Sequence, residues 1–321
     1  MTKPYIFVTR KCSEQQLKRL YEIADVEMWP EEETPCPREL LLKKAERADA
    51  LLTMLSDVID KELIENAKNL KVVANLAVGY DNIDVSFAKS KGVIVCNTPD
   101  ILTDTTADLT FGLLLATARR MTEAAEYVKE NKWKSWGPLL LAGQDVHHKT
   151  IGIVGMGKIG QAVAKRATGF DMNILYHNRR RNIEAEKDFG AQHVSFDELL
   201  ASSDYVVCLT PLTDETRERF NKDAFKKMKK TAIFINASRG AVVNEADLYK
   251  ALVSGEISGA GLDVFLHEPI ASDHPLIQLK NVVALPHIGS ASSETRHAMM
   301  KLCAENIANV LNGNEPKTIV K

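Results

Sequence analysis

The sequence lacks the features that mark several large classes of protein. It has only five cysteines, they are scattered and no C-x-x-C pair occurs, so a disulfide framework is not expected. We expect free, buried thiols, a reducing environment and no metal site. Acidic and basic side chains nearly cancel to a formal net charge of -2, which argues against a general role in binding nucleic acid. The cysteines are Cys12, Cys36, Cys96, Cys208 and Cys303.

Long hydrophobic runs are also missing, and the longest apolar stretches have the length of a β-strand. Residues 1–10 contain no apolar core of a signal peptide, so we expect a cytoplasmic protein without membrane association. What the chain does have is 45% hydrophobic residues over 321 positions. That content is sufficient for two domains, each with its own core.

The stretch from Ile151 to Gly160 is the most informative in the chain. An apolar run, IGIV, predicts a buried strand, and it leads through G-x-G-x-x-G into an amphipathic helix. Gly155 permits a tight turn, Gly157 lets a pyrophosphate approach the backbone, and Gly160 lets the helix pack closely on the strand. The helix begins near Lys158, where free N–H groups can bind phosphate. The pattern predicts a dinucleotide site; a glycine-rich turn that only connects two elements is the alternative.

Apolar strands alternate with short helices along the chain, and this pattern predicts parallel sheets with helices on both faces. The last helix, Ser293 to Leu311, follows a segment that has left the second sheet, so we expect it to pack on the first domain. The predicted domains are residues 1–99 plus 291–321 for substrate binding and residues 100–290 for the dinucleotide, with a cleft between them. Ligands in such sheets bind at the carboxyl ends of the strands.

The strand that follows the glycine-rich stretch ends without an acid. An NAD-specific site places Asp or Glu there to bind the ribose 2′-hydroxyl, but residues 172–182 contain no acidic residue. The strand ends instead in Asn178-Arg179-Arg180-Arg181, and guanidinium groups can bind a 2′-phosphate through paired hydrogen bonds. The pattern predicts a preference for NADPH, with NADH as a second cofactor. A solvated basic turn is the alternative.

A connecting arm at about residues 103–145 joins the two halves of the chain. Two predicted helices are followed by the segment KWKSWGPLLL, which holds two tryptophans and three consecutive leucines. Large apolar side chains in a connecting segment indicate a partner surface. The alternative is that these side chains pack on their own domain.

Three strand-end residues, Arg239, Glu268 and His287, make a combination suited to reducing a 2-keto acid. The forked N–H groups of Arg239 can hold the substrate carboxylate and carbonyl oxygen. His287 can donate a proton to that oxygen, and Glu268 can hold the imidazole ring and favour its protonated form. Backbone N–H groups in the turn 77–79 can bind the carboxylate as well. Each residue also has a structural alternative, since such arginines and His–Glu pairs often serve only stability.

Seven motifs, spread over nearly the whole chain and in the same order, resemble those of the D-isomer-specific 2-hydroxyacid dehydrogenase family. They are NLAVGYDNID, NTPDILTDTTAD, GIVGMGKIG, LTPLTDET, FINASRGAVVNEADL, GAGLDVFLHEP and LPHIGSASSETR. Within the family, LTMLSD, KWKSWGPLLLAG and LPHIGSAS most resemble the glyoxylate/hydroxypyruvate reductases, and DVHHKTIGIVGMGKIG resembles bacterial relatives that also reduce 2-ketogluconate. The resemblance implies a flavodoxin-like first domain and a Rossmann-like second domain.

The resemblance also implies roles for particular residues. Arg239, Glu268 and His287 would form the catalytic trio of a homodimer, in which Trp136 would reach the active site of the partner subunit. The substrate-binding residues would be Leu55, Ala77, Val78, Gly79, Trp136 and Arg296. The cofactor-binding residues would be Thr106, Gly155, Met156, Gly157, Lys158, Ile159, Gly160, Asn178, Arg179, Arg180, Thr210, Pro211, Ala237, Ser238, Asp263 and Gly289.

Together these features predict an NADPH-dependent reductase that converts glyoxylate and hydroxypyruvate to D-2-hydroxy acids. Reduction of 2-ketogluconate is the alternative within enzymes, because the size of the substrate pocket cannot be read from the sequence. A nucleotide-sensing regulator is the alternative outside enzymes, since corepressors in this family share the fold. Failure to oxidise NADPH with any 2-keto acid would favour the regulator.

Overall fold

A computed structural model describes residues 3–320 of the chain. The described residues divide into two compact units, residues 3–102 with 291–320 and residues 103–290. The strands are β1 Tyr5–Val8, β2 Asp25–Met28, β3 Ala50–Thr53, β4 Val72–Asn75, β5 Ile94–Cys96, β6 Thr150–Val154, β7 Asn173–His177, β8 Gln192–His193, β9 Tyr205–Cys208, β10 Ile233–Asn236, β11 Gly259–Leu262 and β12 Val282–Ala284.

The helices alternate with these strands. They are α1 Glu14–Ile23, α2 Arg38–Ala45, α3 Lys61–Asn66, α4 Val85–Ser90, α5 Thr103–Ala118, α6 Met121–Lys129, α7 Lys158–Thr168, α8 Ile183–Phe189, α9 Phe196–Ser202, α10 Lys222–Lys227, α11 Glu245–Ser254 and α12 Ser293–Leu311. Two short 3₁₀ helices span Gly240–Val242 and Pro275–Gln278.

The first unit is built on a five-stranded parallel sheet in the order β2-β1-β3-β4-β5. Side chains on one face, such as Leu51 and Val73, pack with residues of α2, α3 and α4 in a hydrophobic cluster. The alternate residues Leu52 and Ala74 are also fully buried, and α12 packs against β3, β4 and α1. The apolar strands of this unit are therefore buried on both faces, as parallel strands require.

The second unit holds a seven-stranded parallel sheet in the order β12-β11-β10-β9-β6-β7-β8. Alternate residues of one strand enter different cores. Tyr205 and Val207 join a cluster that includes α5 and α7, whereas Val206 and Cys208 join a cluster that includes α9, α10 and α11. Strand side chains point alternately to opposite faces, so this sheet too carries helices on both sides.

The predicted fold class, α/β with parallel sheets and helices on both faces, is confirmed. Several short helices were not anticipated, among them α4, α8, α9 and α10, because each is only one or two turns long and offers too few residues for a helical period to show. Strand order in the second sheet places the change of direction between β9 and β6, where ligands of such sheets bind. Within residues 3–320, no helix combines the length and apolar character needed to cross a membrane.

Candidate active site

The carboxyl ends of β10, β11 and β12 carry the three predicted catalytic residues. These strands are neighbours in a parallel sheet, so the loops that follow them lie at one edge. Arg239 follows β10, Glu268 lies in the loop after β11, and His287 lies in the loop after β12. All three belong to the second unit.

The Arg239 loop is held by Asn236, the last residue of β10. The buried Asn236 amide donates to the carbonyl oxygen of Arg239 at 3.0 Å and accepts from the backbone N–H of Ser238 at 3.1 Å. Gly240 follows directly, and a Cβ built there would lie 1.9 Å from the carbonyl carbon of Phe265. Only glycine lets the Arg239 loop approach the backbone of the Glu268 loop this closely. Sequence reasoning identified Arg239 but missed the positioning role of Asn236.

Glu268 and His287 are in direct contact. His287 Nδ1 lies 2.7 Å from Glu268 Oε2, and the other carboxylate oxygen accepts from the backbone N–H of Phe265 at 2.9 Å. An ionised carboxylate can only accept, so Nδ1 carries the hydrogen and donates it to Glu268. The Nε2 atom is then the imidazole nitrogen that can exchange a proton with a ligand.

Glu268 remains ionised at neutral pH. Burial acts to raise the pKa of its carboxyl, but the hydrogen bond from His287 and the positive charges of His287 and Arg239 together hold that pKa below its ordinary value. The loop that carries Arg239 packs against the loop that carries Glu268, because Gly240 meets the backbone of Phe265. The structure therefore brings the loops of the three predicted catalytic residues together.

The backbone at His287 adopts a left-handed conformation, with φ of 53°. A non-glycine residue rarely adopts this conformation, and it is often found at functional sites. The His287 N–H donates to the carbonyl oxygen of Asp263 at 2.9 Å, and the Asp263 carboxylate accepts from the N–H groups of Ile288 and Gly289 at 2.8 Å each. Burial raises the pKa of Asp263, and these two N–H groups oppose that effect. Asp263, predicted to bind cofactor, thus also holds the loop that carries His287.

The glycine-rich loop between β6 and α7 has the geometry expected of a phosphate-binding turn. Gly155 has φ of 107°, and a Cβ there would lie 2.7 Å from the backbone of Leu209. Gly157 occupies the N-cap position of α7, where it offers no capping side chain, and a Cβ built on Gly157 meets no atom within 4 Å. The start of α7 is therefore open to an anion, which its helix dipole attracts.

Residues 178–182, here called the arginine segment, follow β7 and lie against the glycine-rich loop. Asn178 Oδ1 accepts from the N–H of Met156 at 2.8 Å, and Asn182 Nδ2 donates to the carbonyl oxygen of Met156 at 2.9 Å. Between these anchors, the Arg179 side chain is 86% exposed and lies 3.8 Å from the carboxylate of the exposed Glu215. Arg180 is exposed as well.

Arg181 differs from the two arginines before it, because it is paired within the protein. It contacts both carboxylate oxygens of Glu186, through its Nε at 3.0 Å and through a terminal nitrogen. Its guanidinium is therefore already engaged, whereas Arg179 and Arg180 are presented to solvent. The predicted cofactor contacts Asn178, Arg179 and Arg180 thus belong to one pinned segment.

The remaining predicted cofactor residues also lie at strand ends of the second unit or beside them. Thr106 is buried on α5, and its methyl carbon would lie 3.4 Å from a Cβ built on Gly289. The others lie in the loops after β6, β9 and β10 or at the start of α7; they are Met156, Lys158, Ile159, Gly160, Thr210, Pro211, Ala237 and Ser238. An open helix N-terminus, an adjoining pair of exposed arginines and the strand-end loops suit a dinucleotide phosphate.

In the first unit, hydrogen bonds hold two carbonyl groups of the turn 77–79, which follows β4. The carbonyl oxygen of Ala77 accepts from the N–H of Thr98 at 2.8 Å, and that of Val78 accepts from Asn97 Nδ2 at 2.8 Å. In a trans peptide the N–H points opposite to the C=O, so the N–H groups of Val78 and Gly79 point away from these anchors. This arrangement suits an anion-binding turn.

The other predicted substrate residues are spread over both units. Leu55 lies just after β3, and Arg296 lies in the first turn of α12; both are partly exposed. Trp136 lies in the arm of the second unit, where its side chain is 81% exposed. The segment that carries Trp136 leads into the amino end of β6, whereas the trio lies at the carboxyl ends of the strands. Within residues 3–320, no group of three His, Cys, Asp or Glu residues is placed to hold a metal ion.

Comparison with known proteins agrees with this site. Residues 111–289 match the model of the D-isomer specific 2-hydroxyacid dehydrogenase, NAD binding domain. A glyoxylate reductase from Thermococcus kodakarensis is 51% identical over 99% of this chain and 96% of its own length. The chain belongs to the D-isomer-specific 2-hydroxyacid dehydrogenase family, and it is therefore an oxidoreductase with a nicotinamide-dinucleotide domain.

Solved structures give the same fold. A protein from Thermus thermophilus superposes with a TM-score of 0.93 at 43% identity, covering 99% of this chain and 100% of that one. An NADPH-dependent glyoxylate/hydroxypyruvate reductase from Sinorhizobium meliloti, solved in complex with NADP and malonate, gives a TM-score of 0.88 at 32% identity, covering 99% and 97%. These likenesses confirm the predicted family and fold.

Proposed function

We propose that this protein reduces glyoxylate and hydroxypyruvate to the corresponding D-2-hydroxy acids, with NADPH as the preferred cofactor. The observation that carries the proposal is the contact between His287 Nδ1 and Glu268 Oε2 at 2.7 Å, beside the point where the Arg239 loop packs on the Glu268 loop at Gly240. The likeness to glyoxylate reductases over nearly the whole chain supports the same substrates.

Each member of the trio has a distinct task in this reaction. Arg239 holds the substrate carboxylate and polarises the carbonyl through its forked N–H groups. A bound reduced nicotinamide supplies the hydride that adds to the carbonyl carbon. His287 releases its Nε2 proton to the carbonyl oxygen, so the product is an alcohol. Glu268 keeps the hydrogen on Nδ1 and orients the ring, so that Nε2 is the atom that faces the substrate.

The preference for NADPH rests on the arginine segment. Arg179 and Arg180 are exposed and lie beside the loop that is open to a pyrophosphate, and no acidic residue follows β7 before Asn182. Guanidinium groups at this position can bind a 2′-phosphate, whereas a carboxylate would repel it. We expect the Arg179→Ala/Arg180→Ala double variant to lose kcat/KM with NADPH about 10-fold or more and to keep its kcat/KM with NADH. Equal losses with both cofactors would contradict the role in 2′-phosphate binding.

A substrate panel tests the activity itself. The kcat/KM of the purified protein is measured for glyoxylate, hydroxypyruvate and 2-ketogluconate, each with NADPH and with NADH. We expect the two small acids with NADPH to give the highest values. A clear advantage for 2-ketogluconate would replace the proposed substrates with a sugar acid, and no oxidation with any of the three would favour a nucleotide-sensing regulator.

The proposal includes a cytoplasmic homodimer formed through the arm. Trp136 and Leu139 lie three positions apart, and their side chains are 81% and 83% exposed. Neighbouring large apolar side chains with such exposure usually belong to an interface. The proposed reductase activity also includes the predicted substrate contacts, which are Leu55, Ala77, Val78, Gly79, Trp136 and Arg296.

A further inference from the structure

The arginine segment is held at its far end by a side chain that neither the trio nor the cofactor motif includes. Tyr176 lies on β7 with its ring fully buried in the core. Its hydroxyl donates to Glu186 Oε1 at 2.6 Å and accepts from the backbone N–H of Asn182 at 2.7 Å. Because Glu186 also binds Arg181, one hydroxyl connects the end of the segment to the sheet and to α8.

The near end of the segment is held by a different strand. His193, on the edge strand β8, is paired with Tyr176 across the sheet. Its Nε2 lies 3.2 Å from the carbonyl oxygen of Asn178, and a carbonyl only accepts, so Nε2 carries a hydrogen and donates it. The Asn178 side chain is held independently by the N–H of Met156. Both the side chain and the carbonyl of Asn178 are thus fixed.

The anchoring carboxylate keeps its charge. Hydrogen bonds from Arg181 and Tyr176 lower the pKa of Glu186 to about 2, which favours the ionised carboxylate that Arg181 binds. The segment is therefore fixed before any ligand arrives, and it presents Arg179 and Arg180 to solvent between its two ends. Side chains presented by a fixed backbone lose less conformational freedom when they bind.

We propose that Tyr176 and His193 are positioning residues for cofactor choice: by fixing both ends of the arginine segment they present Arg179 and Arg180 to the 2′-phosphate and so set the preference for NADPH over NADH. This inference rests on the proposed NADPH preference. It goes beyond that proposal in assigning the preference to residues that do not touch the cofactor.

The test compares two tyrosines of the same sheet. Dissociation constants for NADP⁺ and NAD⁺ are measured by titration calorimetry in the wild type, in Tyr176→Phe and in Tyr205→Phe. Tyr205 is also fully buried, but its hydroxyl donates to the carbonyl oxygen of Asp145, away from the arginine segment. We expect Tyr176→Phe to weaken NADP⁺ binding by roughly 3- to 10-fold, the effect of one ordinary hydrogen bond, and to leave NAD⁺ binding unchanged. Tyr205→Phe should leave the ratio of the two constants as in the wild type.

His193 is exposed, so substitutions there provide a second test that does not disturb packing in the core. His193→Gln retains an N–H donor and should keep the ratio, whereas His193→Leu has none and should shift it toward NAD⁺. If the wild type prefers NADP⁺ but neither Tyr176→Phe nor His193→Leu changes the ratio, the inference is wrong while the proposed cofactor preference stands. Equal affinity of the wild type for the two cofactors would overturn both.

Discussion

His287 is the residue on which the chemistry depends most directly. Its Nδ1 is committed to Glu268, its backbone is held in a left-handed conformation by Asp263, and its Nε2 is left for the substrate. We expect His287→Ala to lower kcat by about 100-fold or more, the usual effect of losing a general acid. Steady-state kinetics with glyoxylate and NADPH provide the measurement. His147→Ala, at an exposed histidine outside the trio, serves as the control, and near-normal turnover of the His287 variant would remove that residue from the acid role.

Glu268 links the same site to stability at acid pH. Its pKa is lower in the folded protein than its ordinary value of 4.5, so the folded state favours the ionised carboxylate. The resulting stabilisation is complete above pH 4.5 and is lost as the pH falls through the folded-state pKa. We expect the wild type to exceed Glu268→Gln in free energy of unfolding at pH 7, and the difference to shrink below pH 4.5. Urea denaturation of both proteins at several pH values measures it; a difference that grows on acidification would contradict the pKa direction.

The sequence was informative about residues whose chemistry is visible in a motif. Arg239, Glu268 and His287 could be selected because each follows an apolar strand and each has a reactive side chain. Asn236 and Tyr176 could not be selected in this way. In the sequence, Asn236 cannot be told from any other residue at the end of a strand. The hydroxyl of Tyr176 donates a hydrogen bond to Glu186, which comes close only when α8 packs on the sheet.

At the scale of elements, the approach of two loops decides whether the trio forms. The loops after β10 and β11 touch at Gly240, where a Cβ would overlap the backbone of Phe265 and Leu266. We expect Gly240→Ala to separate these loops and to lower kcat/KM by at least about 10-fold, since small displacements of catalytic groups are costly. The measurement is steady-state kinetics, together with calorimetric binding of NADP⁺, which should change much less.

A matched glycine substitution provides the control. Gly169 is exposed at the C-cap of α7 with φ of -69°, and a Cβ there would lie at an ordinary contact distance of 3.4 Å from the carbonyl oxygen of Arg166. Alanine at this position, at the opposite end of α7 from the glycine-rich loop, should leave kcat/KM unchanged. Normal activity in Gly240→Ala would show that the close approach of the two loops is not required.

Long or strongly apolar elements were predictable, and short ones were not. The strand before Gly155 and the last helix, Ser293–Leu311, follow directly from apolar patterns. The helices Ile183–Phe189 and Lys222–Lys227 are short and mostly charged, so they form because N-capping asparagines and tertiary packing hold them. Such packing is not encoded in the local pattern.

At the scale of the whole molecule, the exposed apolar side chains of the arm indicate a dimer. We expect the wild type to sediment as a dimer of about twice 35.6 kDa, because exposed Trp136 and Leu139 need a partner surface. Trp136→Ala/Leu139→Ala should shift the equilibrium toward monomer. Val253→Ala removes a comparably exposed apolar side chain from α11 and should not. A monomeric wild type in analytical ultracentrifugation would contradict the proposed homodimer.

Identification of the reaction product tests whether Arg239, Glu268 and His287 reduce a 2-keto acid to a D-2-hydroxy acid. The purified protein is incubated with hydroxypyruvate and NADPH, NADPH oxidation is followed by absorbance, and the product is resolved by chiral chromatography. We expect one molecule of D-glycerate for each NADPH oxidised, because hydride and proton are delivered to one carbonyl held by Arg239 and His287. Formation of L-glycerate, or the absence of any product while the folded protein binds NADPH, would contradict that expectation.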